Sequence, residues 1–474
     1  MLLQSVVNLA PDLLGPTTTQ LPTRAVPPGL RVEAHGSLRA LLPLAAQLDA
    51  LNLASRRPSP FDTFAYLEAF VAHDEHARPG QAPLFLVAME GDALVGFLAL
   101  RRVPERLFGV PFTSISFLVG HDNDRPRVLS RPTDEARCAE AFYRHLLEVE
   151  RGWDLLQLQE QDAASALLMP PPSLDLRRYF VRHFPNNPNG TIPVGYASIE
   201  AYVRACSKPR RRAFERSSRK LRDTGELELL IARDPRSTPA IFDLYLDLEQ
   251  RSWKVHKDAH IGRHPERVRF FRRLLSADQP MKISLFLLML DGLPIGGLVA
   301  GDFGGTRYGL EEAFDEDHRD LSPGNATMLL LIRDAIERSF SAVNLLGNYA
   351  YYKAQWQATI TETQAVQVYR KGSLVHLKAL AGQLWREIRA PITQRDVGFN
   401  LVRRGATRGA GEAAQGEIAP AAPRMQQARP PRDAERARAR ATIASLEASG
   451  ATIERLGGAD LRRALALGKR EEAT

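Results

Sequence analysis

Two tandem α/β (α+β) units, each a mixed, mainly antiparallel sheet flanked by helices, are what this 474-residue sequence predicts. Three observations carry that prediction. The order hairpin, strand, loop, helix, strand occurs twice along the chain, which implies duplication of one supersecondary unit. The hairpin runs are short, apolar and separated by Asp-Gly or Gly-Gly, the chemistry of tight turns. Beyond Arg403 the composition shifts to Ala, Gly, Arg and Pro, which marks where the folded part gives way. The expected organisation is a loose extension over 1–30, a first unit over 31–197, a second over 198–390, and a flexible tail over 391–474.

In the first unit, Leu38–Leu53 has helical spacing, and Phe61–His73 reads as a second helix with Asp62 as its cap. Leu84–Met89 and Ala93–Arg102 flank Glu90-Gly91-Asp92 and read as a hairpin. Phe112–Val119 is a third strand, Thr133–Arg151 a helix capped by Thr133 or Asp134, and Trp153–Gln159 a further strand. The loop before that helix, Gly120 to Pro126, is long and acidic, so it is expected to repel phosphates.

The second unit opens with a basic helix around Lys208–Arg222, with Pro209 in its first turn. A strand, Leu227–Ala232, and two amphipathic helices, Pro239–Lys254 and Pro265–Ser276, follow. Lys282–Leu290, Ile295–Phe303 and Thr306–Phe314 form the antiparallel meander. A loop of small residues, Arg319 to Asn325, enters the helix Ala326–Phe340, and Ala342–Leu346 is a buried strand. Glu362–Tyr369 alternates as a strand and Leu374–Ile388 is an amphipathic helix. Within the tail, Asp433–Leu446 and Asp460–Leu467 are expected to be short helices that pack poorly on the core.

Hydrophobic residues at 44% supply enough material for sizeable cores, and a net charge of +8 favours anionic partners without choosing among them. The two cysteines, Cys138 and Cys206, have no metal spacing and fit a reducing compartment. Met1–Leu14 lacks a basic n-region, and no apolar run reaches the length of a spanning helix, so a cytoplasmic protein without a transmembrane segment is expected. His256, His260 and His264 repeat every fourth residue, but Gly262 and Pro265 interrupt the helix such a metal site needs; no metal is expected.

A loop of small residues entering a helix turns backbone N–H groups and the positive end of the helix dipole outward, which suits a phosphate or pyrophosphate. This arrangement resembles the acyl-CoA site of the GNAT acyltransferase superfamily, whose loop reads Arg/Gln-x-x-Gly-x-Gly/Ala. Arg319, Ser322 and Gly324 occupy those positions, with serine in place of the first glycine. Tyr308, Ala313-Phe314-Asp315, Ser322-Pro323-Gly324-Asn325, Gly347, Tyr352-Lys353 and Trp356 are similar to the tandem GNAT acetyltransferases linked to bacterial cellulose and exopolysaccharide biosynthesis, relatives of the Fem aminoacyltransferases. The resemblance spans roughly Arg31 to Lys371.

It implies an N-acyltransferase that moves an acyl group, acetyl first among them, from acyl-CoA to an amine, the acceptor being a sugar-nucleotide or glycan-linked amine. Arg319, Ser322, Gly324 and Asn325 would hold the donor. Glu311 or Glu312 would take the amine proton; neighbouring strand residues face opposite sides, so one of the two faces the cleft. Tyr352 or Lys353 would serve the departing thiolate. Arg210 and Arg211 on the basic helix, with Trp253, are candidate acceptor contacts, although a charge run is also the ordinary look of a solvated helix face. The competing readings are a Fem-like transferase using aminoacyl-tRNA, in which the basic helix meets RNA, and a non-catalytic scaffold. Phe214 is the only aromatic residue interleaved in the basic run, which argues against a base-stacking surface. No DNA contact is expected.

Overall fold

The computed structural model describes residues 30–74, 80–120, 123–276, 279–347, 353, 355–389 and 432–465, with the backbone alone over 384–389. The first half comprises strand β1 (Arg31–His35), helices α1 (Ala45–Leu53) and α2 (Phe64–Ala72), strands β2 (Ala82–Glu90), β3 (Ala93–Leu107), β4 (Val110–Phe117) and β5 (Leu129–Ser130), helix α3 (Glu135–Arg144), and strands β6 (Leu155–Asp162) and β7 (Tyr179–Pro193). Helices α4 (Ile199–Ala205) and α5 (Lys208–Arg222) lead to β8 (Leu227–Ala232), α6 (Thr238–Glu249), α7 (Pro265–Leu274), β9 (Lys282–Leu290), β10 (Leu293–Phe303), β11 (Thr306–Phe314), α8 (Pro323–Glu337), β12 (Ala342–Asn344), β13 (Thr359–Arg370) and α9 (Leu374–Arg389). The chain closes with α10 (Arg432–Ala448), β14 (Glu454–Gly457) and α11 (Gly458–Ala464).

The strands form one continuous sheet in the order β1-β2-β3-β4-β6-β13-β7-β12-β11-β10-β9-β8-β14, with β5 paired to β3. The order is nearly a palindrome. In each half, four antiparallel strands are followed by one parallel partner across a helix: β4 with β6 across α3, and β11 with β12 across α8. At the centre the halves exchange strands. β13, from the second half, pairs β6 of the first, and β7, from the first, pairs β12 of the second.

Strand β7 is not legible in the sequence, because Asn187-Pro188-Asn189-Gly190 reads as a turn. The sheet tolerates it through a register shift between Thr361 and Thr363, which leaves Pro188 out of the ladder where its missing N–H costs nothing. The helix predicted over Phe61–His73 is divided at Thr63, and that residue, not Asp62, accepts from Tyr66 N–H as the cap.

Helices α1, α2, α6 and α7 share one apolar core with the sheet face beneath them, so the halves are joined by packing as well as by strand exchange. Phe61 meets Tyr308 edge-to-face at 5.4 Å across that junction, and Tyr66 meets Phe270 at 5.5 Å. On the opposite face α3 packs over the first half, and α4, α5 and α8 over the second.

Residues 432–465 do not pack poorly, contrary to the sequence expectation. β14 pairs β8 at the sheet edge, Ala439, Ile443 and Leu446 of α10 join the shared core, and Leu461 and Leu465 are fully buried. The physical reason is spacing: few large apolar residues are present, but they fall on one face of each helix and meet a ready sheet edge. Residues 391–431 lie outside the described residues. No helix among the described residues is long and apolar enough to cross a membrane.

Candidate active site

Strands β11 and β12 pair only from Thr306 to Tyr308 with Ala342 to Asn344. Beyond that point they part. At the same place β11 bulges: Val299 faces Glu311 and Ala300 faces Gly309, so Leu310 is an extra residue without a partner on β10. A glycine inside a strand is the sequence signal for such a bulge, and Gly309 is that signal here. The parted strands and the first turn of α8 enclose a cleft of about 1330 Å³.

Helix α8 can lie close to the sheet because β10 carries Gly296. A Cβ there would stand 2.5 Å from Thr327 Oγ1 and 3.2 Å from the Pro323 carbonyl oxygen. The helix begins at Ser322, which adopts a left-handed conformation (φ 54°, ψ 50°), and no side chain caps it. Ser322, Pro323, Gly324 and Asn325 all line the cleft. Pro323 has no N–H, so the Gly324 and Asn325 amides are the donors of this first turn. Arg319 stands at the cleft wall, mostly exposed and paired with Glu316 at 2.6 Å.

Glu311 and Glu312 both line the cleft but in different states. Glu311 is buried between Lys254 and Arg267 and ion-paired to both. Burial alone would lower the Lys254 ammonium; Glu311 and Glu249, the latter 2.7 Å away, more than offset it and leave it raised. Glu312 sits on the other face of β11, toward α8. It is part-exposed to the cleft yet enclosed by protein, and burial pushes its carboxyl up to about 7 against the pull of Lys254 and Lys353. Gly324 makes room for it: a Cβ there would stand 2.9 Å from Glu312 Oε1 and 3.2 Å from Phe314 Cδ1. Lys353 Nζ donates to the carbonyls of Leu345 (2.6 Å) and Gly347 (3.0 Å), and burial lowers its ammonium, with Glu312 opposing. Tyr352 lies outside the described residues.

Trp253 lines the cleft, with Lys257 Nζ 5.0 Å above its ring. Arg210 and Arg211 do not line it. Arg210 is buried between Phe214 and Trp356 and donates to Gln355 Oε1 and to Asn325 Oδ1 at 3.2 Å, so it touches the first turn of α8 from behind. Arg211 donates to the carbonyls of Arg204 and Cys206 at the end of α4. The exposed side of α5 carries Arg212, Arg216 and Arg219. Sequence reasoning missed Lys254 and Arg267, because their role as partners of Glu311 exists only once the Trp253–Lys257 turn and α7 are folded onto the sheet. Among the described residues, no group of three or more His, Cys, Asp or Glu is arranged to hold a metal ion.

Over residues 208–354 the sequence matches the family model described as the acetyltransferase (GNAT) domain. This region is a GNAT-type acyltransferase domain. It spans α5 through the strand that closes the cleft, so the GNAT domain contains the bulge, the uncapped helix and both glutamates. The domain implies an acyl-CoA-type co-substrate. No curated protein matches the chain. Among solved structures, FemX is similar at 12% identity, covering 70% of this chain and 96% of its own, with a TM-score of 0.36. A tandem GNAT protein from the clavulanic acid biosynthesis pathway is similar at 12% identity, covering 72% and 99%, with a TM-score of 0.38. A conserved protein of unknown function from Bacteroides thetaiotaomicron is similar at 9% identity, covering 72% and 100%, with a TM-score of 0.45. At that level of likeness, nothing of their donors or acceptors transfers to this chain.

Proposed function

We propose that the chain transfers an acyl group, acetyl first among them, from acyl-CoA to an amine, with the donor pyrophosphate on the Gly324 and Asn325 amides. The observation that supports this best is the uncapped first turn of α8 opening into the cleft where β11 and β12 part. The amine nitrogen attacks the thioester carbonyl carbon, a C–N bond forms, and the C–S bond breaks with its electron pair leaving on sulfur. Glu312, with a carboxyl near neutrality, takes the amine proton. Glu311, held between two cations, shapes the bulge instead. The unpaired backbone at Leu310 polarises the thioester carbonyl. Lys353 is the described residue placed to return a proton to the thiolate, and Tyr352 is its sequence neighbour in that role.

The likeness of the sequence to the tandem acetyltransferases of exopolysaccharide biosynthesis supports a cytoplasmic enzyme, with units over 31–197 and 198–390, that acts on a sugar-nucleotide or glycan-linked amine. Isothermal titration with acetyl-CoA tests the donor reading. Binding that is lost in Gly324→Val, with the melting temperature near the parent, supports it; equal affinity in that variant means the loop is an ordinary turn.

A further inference from the structure

A second cavity, of about 490 Å³, lies in the first half and is lined by Arg56, Arg57, Arg125 and Arg127. That size suits a small molecule. Two of the arginines are ion-paired by the protein at hydrogen-bonding distance. Arg125 Nε donates to Asp124 at 3.0 Å; Arg127 pairs with Asp62 at 3.0 Å and donates to Ser55 at 3.1 Å. The other two are not. Arg56 donates through Nη1 to the Ala164 carbonyl at 3.4 Å, and its Nη2 stands 3.6 Å from both Glu135 and Asp162, outside the roughly 2.7–2.9 Å of a charge-assisted hydrogen bond. Arg57 donates through Nη2 to the Arg125 carbonyl, but its Nη1 is buried without a hydrogen-bond partner, 3.8 Å from Asp124. Burial, with Arg125 and Arg127 adding to it, pushes the Arg57 guanidinium down to about 10. Two forked donors thus face one cavity with their hydrogen-bonding capacity in part unused, which is the geometry that a carboxylate or phosphate completes.

The cavity adjoins the donor cleft. Glu160 lines the cavity, and a Cβ on Gly347, a residue of the donor cleft, would stand 3.2 Å from Glu160 Oε1. A second link runs through Asp124, which accepts from Asn344 Nδ2 at 2.8 Å; Asn344 Oδ1 in turn accepts from the N–H of Leu346, a cleft residue. Burial raises the Glu160 carboxyl, so a cation beside it relieves a cost. Four arginines outnumber Glu135 and Asp162 in the lining, and Glu160 stands at the end nearest the donor cleft, which matches a molecule with an anionic head and an amine tail.

We propose that this cavity holds the acceptor, and that the acceptor is an amine carrying a carboxylate or phosphate, its anion on Arg56 and Arg57 and its amine directed past Glu160 toward the donor cleft. The proposal rests on the acyl-transfer reading above. The test uses the full chain, acetyl-CoA and thiol release, with acceptors in matched pairs: lysine against cadaverine for the carboxylate, glucosamine 6-phosphate against glucosamine for the phosphate. The anion-bearing member of at least one pair should show a kcat/KM tenfold or more higher, carried by KM, about what one charge-assisted hydrogen bond is worth. In Arg56→Ala that ratio should collapse toward one, and in Arg57→Lys, which keeps the charge beside Asp124, it should fall by several fold. Equal kcat/KM within both pairs, or a preference that survives Arg56→Ala, overturns the proposal. If no acceptor is turned over, titration of the same four compounds into the CoA-bound protein decides. Binding of an anionic member alone, lost in Arg56→Ala, supports the cavity as the site; no binding overturns it. Failure of acetyl-CoA itself to bind would be a failure of the donor reading and is measured separately.

Discussion

In the first half, β4 runs against β3 in unbroken register from the turn to Phe117, and β6 continues to Asp162. In the second half, β11 bulges at Leu310 and β12 stops at Asn344. Counted from the β2–β3 and β9–β10 turns, Leu100 with Phe117 stands level with Ala300 with Gly309; Leu118 donates to the Ala99 carbonyl where Glu311 faces Val299, so Val119 is the counterpart of Glu312. The helix starts differ as well. In α3 the first turn carries its own acids: Asp134 pairs with Arg137, and Glu135 accepts from the Ala166 N–H. In α8 the same turn is bare. One topology therefore supports two different units, separated by a single inserted residue, a shortened strand and a helix end without acids. The acidic loop of the first half also works otherwise than its charge suggests. Asp124 does not stand out to repel phosphate; it is buried, held below its usual range by Arg57 and Arg125 despite burial, and bonded to Asn344 of the other half.

Removing the glutamate that distinguishes the halves should have the largest effect. Glu312→Gln is expected to lower kcat by roughly 100-fold or more, the usual contribution of a general base, and to abolish a rate limb that rises through pH 7 in the parent. The sign for stability is opposite. The folded carboxyl sits above its ordinary value, so stability falls as pH rises from about 4.5 through 7, by on the order of 3 kcal/mol. Urea melts at pH 5 and pH 8 should show that fall in the parent and not in Glu312→Gln.

Next in size is Gly324→Val, expected to weaken acetyl-CoA binding by about 100-fold, or about 2.7 kcal/mol. Valine at Ala136, the equivalent turn of α3, should leave that affinity unchanged; loss of affinity there would break the comparison.

A third difference is the sheet edge. The second half has β8 covered by β14, whereas β1 in the first half has no strand beyond it among the described residues. Truncation after residue 431 uncovers β8 and removes buried Leu446, Leu461 and Leu465, each worth roughly 1.5–3 kcal/mol. The urea midpoint should drop clearly, and an unchanged midpoint would mean that the tail contributes nothing. The smallest effect belongs to Ser322→Gly, which relieves the left-handed serine. It should stabilise by about 1 kcal/mol and leave acetyl-CoA affinity near the parent value.

Much of the sheet could be read in the chain because Asp291-Gly292, Gly304-Gly305 and the alternation of β13 are local signals. The turn into α8 was legible for the same reason: Ser322-Pro323-Gly324-Asn325 announces both a loop and a helix start. What was hidden depends on distant partners. β7 reads as turns until β13 is present to pair it. Which glutamate is free could not be read, since Lys254 reaches Glu311 from the Trp253–Lys257 turn and Arg267 from α7. The tail misled through composition, because Ala and Arg dominate while the few leucines fall on one face.

The exchange of β7 and β13 also bears on how the protein is made. When the first half leaves the ribosome, β6 has no neighbour on its inner side; the strand that fills that place, β13, is synthesised only after the whole second half. Until then an apolar edge stays open to other chains. Pairing of such high sequence separation is slow. Coexpressed fragments split between the halves each lack a central strand that the other supplies, so solubility should be restored only when both are translated together.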